Sequence, residues 1–169
     1  MHQGASFNAP WGTSLKVMTV IAVLILLSVP VLGLVTGPGG SIFWKINMLV
    51  LPLSILAIAV FFMIRGYQLT EDTLLVQRLG WKSRIDLSGL VSAEADPQAM
   101  SKSIRTFGNG GLFCFAGALR NRKLGGYRAF ATDLKSAVVL RFEKKVIVVT
   151  PENPAYFVSR IKELRNLKS

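Results

Sequence analysis

The chain has one cysteine, Cys114, and one histidine, His2, in 169 residues. A lone cysteine excludes an internal disulfide and any cysteine-based metal cluster. With the only histidine in the N-terminal tail, the remainder of the chain cannot assemble a Ser-His or Cys-His couple, and a histidine-based metal site is likewise excluded. Cys114 lies in the apolar string Leu112 to Leu119, so a buried, inert thiol is expected. Acids are scarce too: nine Asp and Glu stand against 20 Lys and Arg, for a formal net charge of +11. All nine follow position 65, and Glu71-Asp72, Asp133, and Glu94 with Asp96 fall in turn-like strings, where Asp hydrogen-bonds local backbone. None is paired for acid–base chemistry. The expectation is a protein that is not an enzyme and that has no cofactor and no metal.

Charge is missing altogether from two stretches, Val17 to Val35 and Ile46 to Ile64, each 19 residues long. At about 1.5 Å per residue each reaches about 28 Å, close to the roughly 30 Å hydrocarbon thickness of a bilayer. Neither has the polar face that a helical hairpin in a soluble core would keep, so two membrane-spanning helices are expected. The first exceeds a signal-peptide core in length, and Val31-Leu32-Gly33 is a poor cleavage site, which favours an uncleaved span. Pro30 and Pro52 sit inside the spans, where neighbouring helices can satisfy the freed carbonyls; packing features are expected. Trp11 and Lys16 suit one interface, Trp44 and Lys45 the other, and Thr36 to Ser41 the turn between. Basic residues collect at Lys16, Arg65, Arg78, Lys82 and Arg84, against Lys45 alone on the turn side. By the positive-inside tendency both termini and the region after the second span face the cytoplasm. The expected organisation is a flexible tail over 1–16, a transmembrane hairpin over 17–64 and a cytoplasmic domain over 66–169.

After Arg65 the pattern breaks into short strands. Tyr67 to Thr70 and Thr73 to Leu79 flank a tight turn at Glu71-Asp72, Gly80-Trp81 turns the chain into Arg84 to Leu87, and further strands are expected at Ser103 to Phe107 and Leu112 to Leu119. The strongest signals are Tyr127 to Thr132, Ala137 to Phe142 and Val146 to Thr150, rich in β-branched and aromatic residues. A closing helix is capped by Asn153 with Pro154 in its first position, and it places Phe157, Ile161 and Leu164 on one face with Leu167 close by. The expected fold is mainly β, about seven antiparallel strands plugged by an amphipathic C-terminal helix.

Particular strings in that order resemble the bacterial pleckstrin-homology-like (PH-like) membrane proteins. They are Tyr67-x-Leu69-Thr70-x-Asp72-x-Leu74, Gly80-Trp81 to Ile85-x-Leu87, Phe107-Gly108-Asn109-Gly110-Gly111-Leu112, Leu124-Gly125-x-Tyr127-x-x-x-Ala131-Thr132-Asp133, and Val148-Val149-Thr150-Pro151 running to Phe157. The resemblance covers residues 66 to 167, and a preceding two-helix hairpin suits it. It implies two packed antiparallel sheets closed at one end by the C-terminal helix, and it carries over no catalytic residue.

Two groups of residues are candidates for contact with something outside the chain. Trp81, Lys82 and Arg84 follow a hairpin that must return toward the bilayer, because Gly66 leaves the second span without a linker; with Trp44 and Lys45 they form the expected membrane-interface set. The alternative for Trp81 is packing on its own domain. Arg120, Arg122, Lys123 and Arg128 are the densest positive cluster, suited to anionic lipid headgroups or an acidic protein segment, or else to a solvated loop. The glycine-rich Gly108 to Gly111 lacks the following helix and Lys-Ser/Thr of a phosphate loop and reads as a turn. No nucleic-acid motif is present. The functional expectation is a membrane-anchored binding or assembly scaffold, with a protein partner, a second copy of the chain or anionic lipid as the bound species. The other reading is a small subunit of a transporter or sensor, in which the helices mediate assembly.

Overall fold

A computed structural model of the chain describes residues 4–37 and 41–165. The two uncharged stretches form α1 (Thr13–Thr36) and α2 (Ile42–Phe61), helices long and apolar enough to cross a membrane. Their large apolar side chains, Leu24 and Leu32 at about 60% exposure among them, point away from the protein, which a core helix of a soluble protein could not sustain. The helices meet through Pro30 and Pro52, both buried, and through Gly33, where an added Cβ would lie 2.7 Å from Met48. Small residues let membrane helices approach in this way. The Ser41 hydroxyl caps α2 by accepting from Trp44 N–H, while the Trp44 indole donates to Gly33 O at 2.9 Å and ties the two helices together.

A short strand, β1 (Ala5–Asn8), precedes α1, and β2 (Ile64–Leu69) follows α2 with almost no linker. The two pair antiparallel with Asn8 opposite Gly66, so the helical hairpin occupies the place of the turn in a β-hairpin. The flexible tail expected over residues 1–16 is corrected here. Residues 5–8 are a sheet edge, 13–16 are the first turn of α1, and residues 1–3 lie outside the described set. Ala5 and Phe7 alternate with Ser6 and Asn8, and this alternation puts Phe7 in the core at 8% exposure with its ring 4.9 Å from Phe157.

The first sheet continues through β3 (Thr73–Arg78) and β4 (Lys82–Asp86) in the order β1-β2-β3-β4. The second contains β5 (Leu90–Ala95), β6 (Ile104–Gly110), β7 (Phe115–Asn121), β8 (Gly125–Ala131), β9 (Val138–Phe142) and β10 (Val146–Val149), ordered β5-β9-β10-β8-β7-β6. Among the described residues ten strands stand where about seven were expected, and β1 and β5 are those without a counterpart in the sequence reading. The pairing is also not antiparallel throughout, because β10 lies parallel to β8. Parallel strands need cover on both faces, and the second sheet has it. Its inner face packs Cys114, Phe130, Leu140 and Val149 against Leu69, Leu74 and Val76 of the first sheet. Its outer face, with Ala129, Val139 and Val148, is covered by Leu15 of α1, Trp11, Ala99 and Met100. Unbroken apolar runs in β9 and β10 follow from burial on both sides.

The C-terminal helix α3 (Pro154–Arg165) closes the inner core as expected: the Asn153 carboxamide accepts from Tyr156 N–H at 3.1 Å, and Phe157 and Ile161 are fully buried. Leu164 packs at its edge. Leu167 and the domain's expected last residues lie outside the described set.

Candidate membrane-facing site

The first four N–H and last four C=O groups of a helix have no partner within it. At the C-terminal end of α2 those carbonyls are met by the β-domain. The Trp81 indole N–H donates to Phe61 O at 3.1 Å, Arg78 Nη1 to Phe62 O at 2.6 Å, and the Cys114 thiol to Phe62 O at 3.3 Å. Arg78 reaches this point because strand alternation puts Leu74, Val76 and Arg78 on the inward face of β3. It is 8% exposed and enclosed by the Phe62, Trp81 and Phe130 rings, the Trp81 ring 4.7 Å away. Burial holds its pKa below the usual arginine value, the nearby Cys114 opposing that shift. Instead of a carboxylate, Arg78 faces the negative end of the α2 dipole. Cys114 is pushed up to about 11, chiefly by burial, and so stays a thiol at neutral pH.

The other span is gripped at its opposite end. Thr19 Oγ1 donates to Gly111 O at 2.9 Å and accepts from Phe113 N–H at 3.2 Å, so the β6–β7 turn seats on α1. Asn109 braces that turn, its carboxamide donating to Leu112 O and accepting from the Gly111 and Leu112 N–H groups, with φ +105 at Gly108 and +128 at Gly111. Positive φ is what glycine is needed for, but of the glycine-rich string expected as a turn only Gly111 lies in it; Gly108 to Gly110 are the last residues of β6, register partners of Gly117 to Phe115. Gly12 N–H donates to Thr132 O, fixing the start of α1 on the second sheet.

Beside the α2 joint lies an open cleft of about 570 Å³ lined by Asn8, Arg65, Gln77, Arg78, Gly80, Trp81 and Lys82. Its base is a cross-strand row on the outer face of the first sheet: Asn8 opposite Gly66, Gly66 opposite Gln77, Gln77 opposite Lys82. Gly66 has no side chain to fill the row, and a Cβ there would lie 2.7 Å from Phe7 O. Three cations and no carboxylate line the cleft.

A family model described as Bacterial PH domain matches residues 65–165, more than half of the chain. The chain belongs to the bacterial PH domain family. Comparison with curated proteins and with solved structures returned no match. The matched span of the PH domain opens at Arg65, within the cleft, so the family region begins where the second helix ends.

The five expected interface residues divide between this PH domain and the helical hairpin. Trp81 and Lys82 sit at the α2 joint and its cleft. Arg84, also exposed, lines a different cleft with Asp72, Thr73, Asp86, Ser88 and Arg165, and its Nη2 donates to Thr73 Oγ1 at 3.2 Å. Trp44 and Lys45 lie on the first turn of α2, at the far end of the hairpin. The basic cluster disperses: Lys123 pairs with Asp96, whose carboxyl is held below its usual range chiefly by that hydrogen bond; Arg128 lies 5.2 Å over the Phe130 ring; Arg120 and Arg122 are exposed. Arg65, Gln77, Arg78 and Asn8 are cleft residues that the sequence reading did not group together. For Arg78 the signal was present, an arginine at an inward position of an alternating strand.

Proposed function

We propose that this bacterial PH domain works by binding rather than turnover, as a scaffold that presents a fixed protein surface at the cytoplasmic face of the membrane. The observation that carries the reading is the joint itself: three donors on the terminal carbonyls of α2, and Thr19 of α1 held by the β6–β7 turn. A domain held this way cannot swing on a tether, so whichever surface faces the bilayer is set by the fold. The buried Cys114 thiol, its pKa raised by burial, is not poised as a nucleophile, which suits a binding role. The reading in which the helices themselves mediate assembly has less support, because Asn47 spends its carboxamide on Phe43 O of its own helix and both prolines pack inside the hairpin.

The orientation follows from the excess of bases beside Arg65. Reporters fused after Ser169 and inserted at Gly39 are expected on opposite sides, with Ser169 cytoplasmic; both on one side rejects the hairpin. The binding role is tested by photocrosslinkers at Arg122 and, separately, at lipid-facing Leu24, in native membranes. A single protein or lipid species captured from Arg122 and not from Leu24 is expected. Capture of one protein from Leu24 alone transfers the role to the helices.

A further inference from the structure

The cleft at the foot of α2 combines position, charge and donor geometry in a way that no other part of the described structure does. It opens beside Trp81, whose indole is bonded to the last residue of α2, so it lies at the depth where a span leaves the hydrocarbon and lipid headgroups begin. Arg65, Arg78 and Lys82 bring three positive charges to it, and the Asn8 and Gln77 carboxamides add neutral donors from the same cross-strand row. One Asn8 donor already serves Glu152 at 2.9 Å. The larger cleft on the first sheet is different in kind, since Asp72 and Asp86 offset Arg84 and Arg165 there, and Arg165 bonds Asp72 at 2.8 Å. A cleft of cations without a carboxylate is complementary to an anion, and guanidinium and ammonium donors match phosphate oxygens.

We propose that the cleft formed by Arg65, Gln77, Arg78 and Lys82 beside Trp81 holds the phosphate of an anionic phospholipid from the leaflet into which α2 runs. Arg65 and Lys82 are the two cations free to grip it: among the described residues neither side chain has a hydrogen bond or ion pair of its own, and both are exposed. Arg78 forms the inner wall, already committed to Phe62 O and Ser83 Oγ. An anion alongside would also offset the cost of burying its charge. Trp81, 42% exposed and stacked on Arg78, presents the ring edge that borders the acyl region. The inference rests on the binding reading above and narrows one part of it to one site.

The test uses the full chain in an uncharged detergent. Phosphatidylglycerol, or phosphatidylcholine of the same acyl chains, is titrated in, and bound lipid is counted by native mass spectrometry. Retention of phosphatidylglycerol over phosphatidylcholine is expected. An Arg65→Gln/Lys82→Gln variant is expected to weaken it on the order of tenfold or more, with an unchanged melting temperature. The charge-matched control Lys135→Gln/Lys144→Gln, two exposed lysines outside the cleft lining, is expected to stay within about twofold of the parent. Equal weakening in both variants, or none in the first, overturns the site. Displacement of the effect onto millimolar inorganic phosphate, with no preference between the two lipids, assigns the cleft to free phosphate and overturns the lipid source. A protein partner captured in membranes, together with no lipid preference, would sink this site and leave the scaffold reading standing.

Discussion

Arg78 and Cys114 show how single buried polar groups join the inner core to the end of α2, and Tyr67 how one ties the first sheet to the second. Arg78→Met keeps the length of the stem but removes both donors, leaving Phe62 O with the thiol alone. Hydrogen bonds to charged groups are worth about 1.5–3 kcal/mol, so the full chain in detergent is expected to lose about that much stability in thermal or denaturant unfolding. An unchanged melt would mean that Phe62 O is satisfied by solvent. Tyr67 donates to Phe130 O at 2.7 Å and accepts from Thr150 N–H, and burial pushes its hydroxyl up to about 12. Both Tyr67 and Cys114 have raised folded-state pKa values and are neutral when protonated. Each therefore contributes stability that is whole below its unfolded value, near 9 for Cys114 and 10 for Tyr67, and that falls as pH rises toward about 11 and about 12. Stability is expected to drop across that alkaline window. Cys114→Ala should delay the onset, and an onset identical to the parent's would remove the thiol from the account. The inward arginine was legible from the Leu74-Val76-Arg78 alternation. Its partner was not, because a helix-end carbonyl has no sequence signature.

At the scale of elements, α3 was readable in full and β1 was not. Asn153, Pro154 and the Phe157-Ile161 spacing each point to the same helix, whereas Ala5 to Asn8 is four residues with one large apolar side chain, too short for an alternation to stand out from a tail. The strand exists because β2 offers it an edge and Phe157 offers Phe7 a ring. Likewise β5, Leu90–Ala95, has little β-branched content and is held by pairing with β9. The parallel contact of β10 with β8 is set by tertiary arrangement, and the apolar run of β10 marks only that both its faces are covered. Ile161→Ala removes a fully buried side chain and is expected to cost about 2–5 kcal/mol, read as a lowered denaturation midpoint of the full chain. Arg160→Ala, whose guanidinium reaches Glu163 on the surface, should cost about 1 kcal/mol or less. The reverse order would invert the helix face.

For the whole molecule, the consequence is that the PH domain and the hairpin share their cores rather than being joined end to end. The chain enters the first sheet as β1, leaves for the membrane, and returns to the same sheet as β2 one strand away. A fragment beginning at Arg65 thus lacks Phe7, Ala9 and Ile64 from the inner core, and Leu15 and Trp11 from the cover of the second sheet. Because Asn8 and Gly66 are register partners, the membrane hairpin can be exchanged for a short turn: residues 4–9 joined by a four-residue Gly/Ser linker to residues 63–165. This soluble chain is expected to fold with sharp near-ultraviolet circular dichroism, since the inner core is complete. It should still bind a hydrophobic dye, because Ala129, Val139 and Val148 have lost the helix that covered them. The fragment 63–165, which keeps Ile64 and lacks β1, is expected to unfold at lower denaturant, the difference corresponding chiefly to the loss of Phe7, about 3–5 kcal/mol. Equal stability of the two would mean that β1 only decorates the sheet edge. Dye binding no greater than that of the full chain in detergent would mean that the outer face of the second sheet closes without α1, and the two parts would then be separable modules.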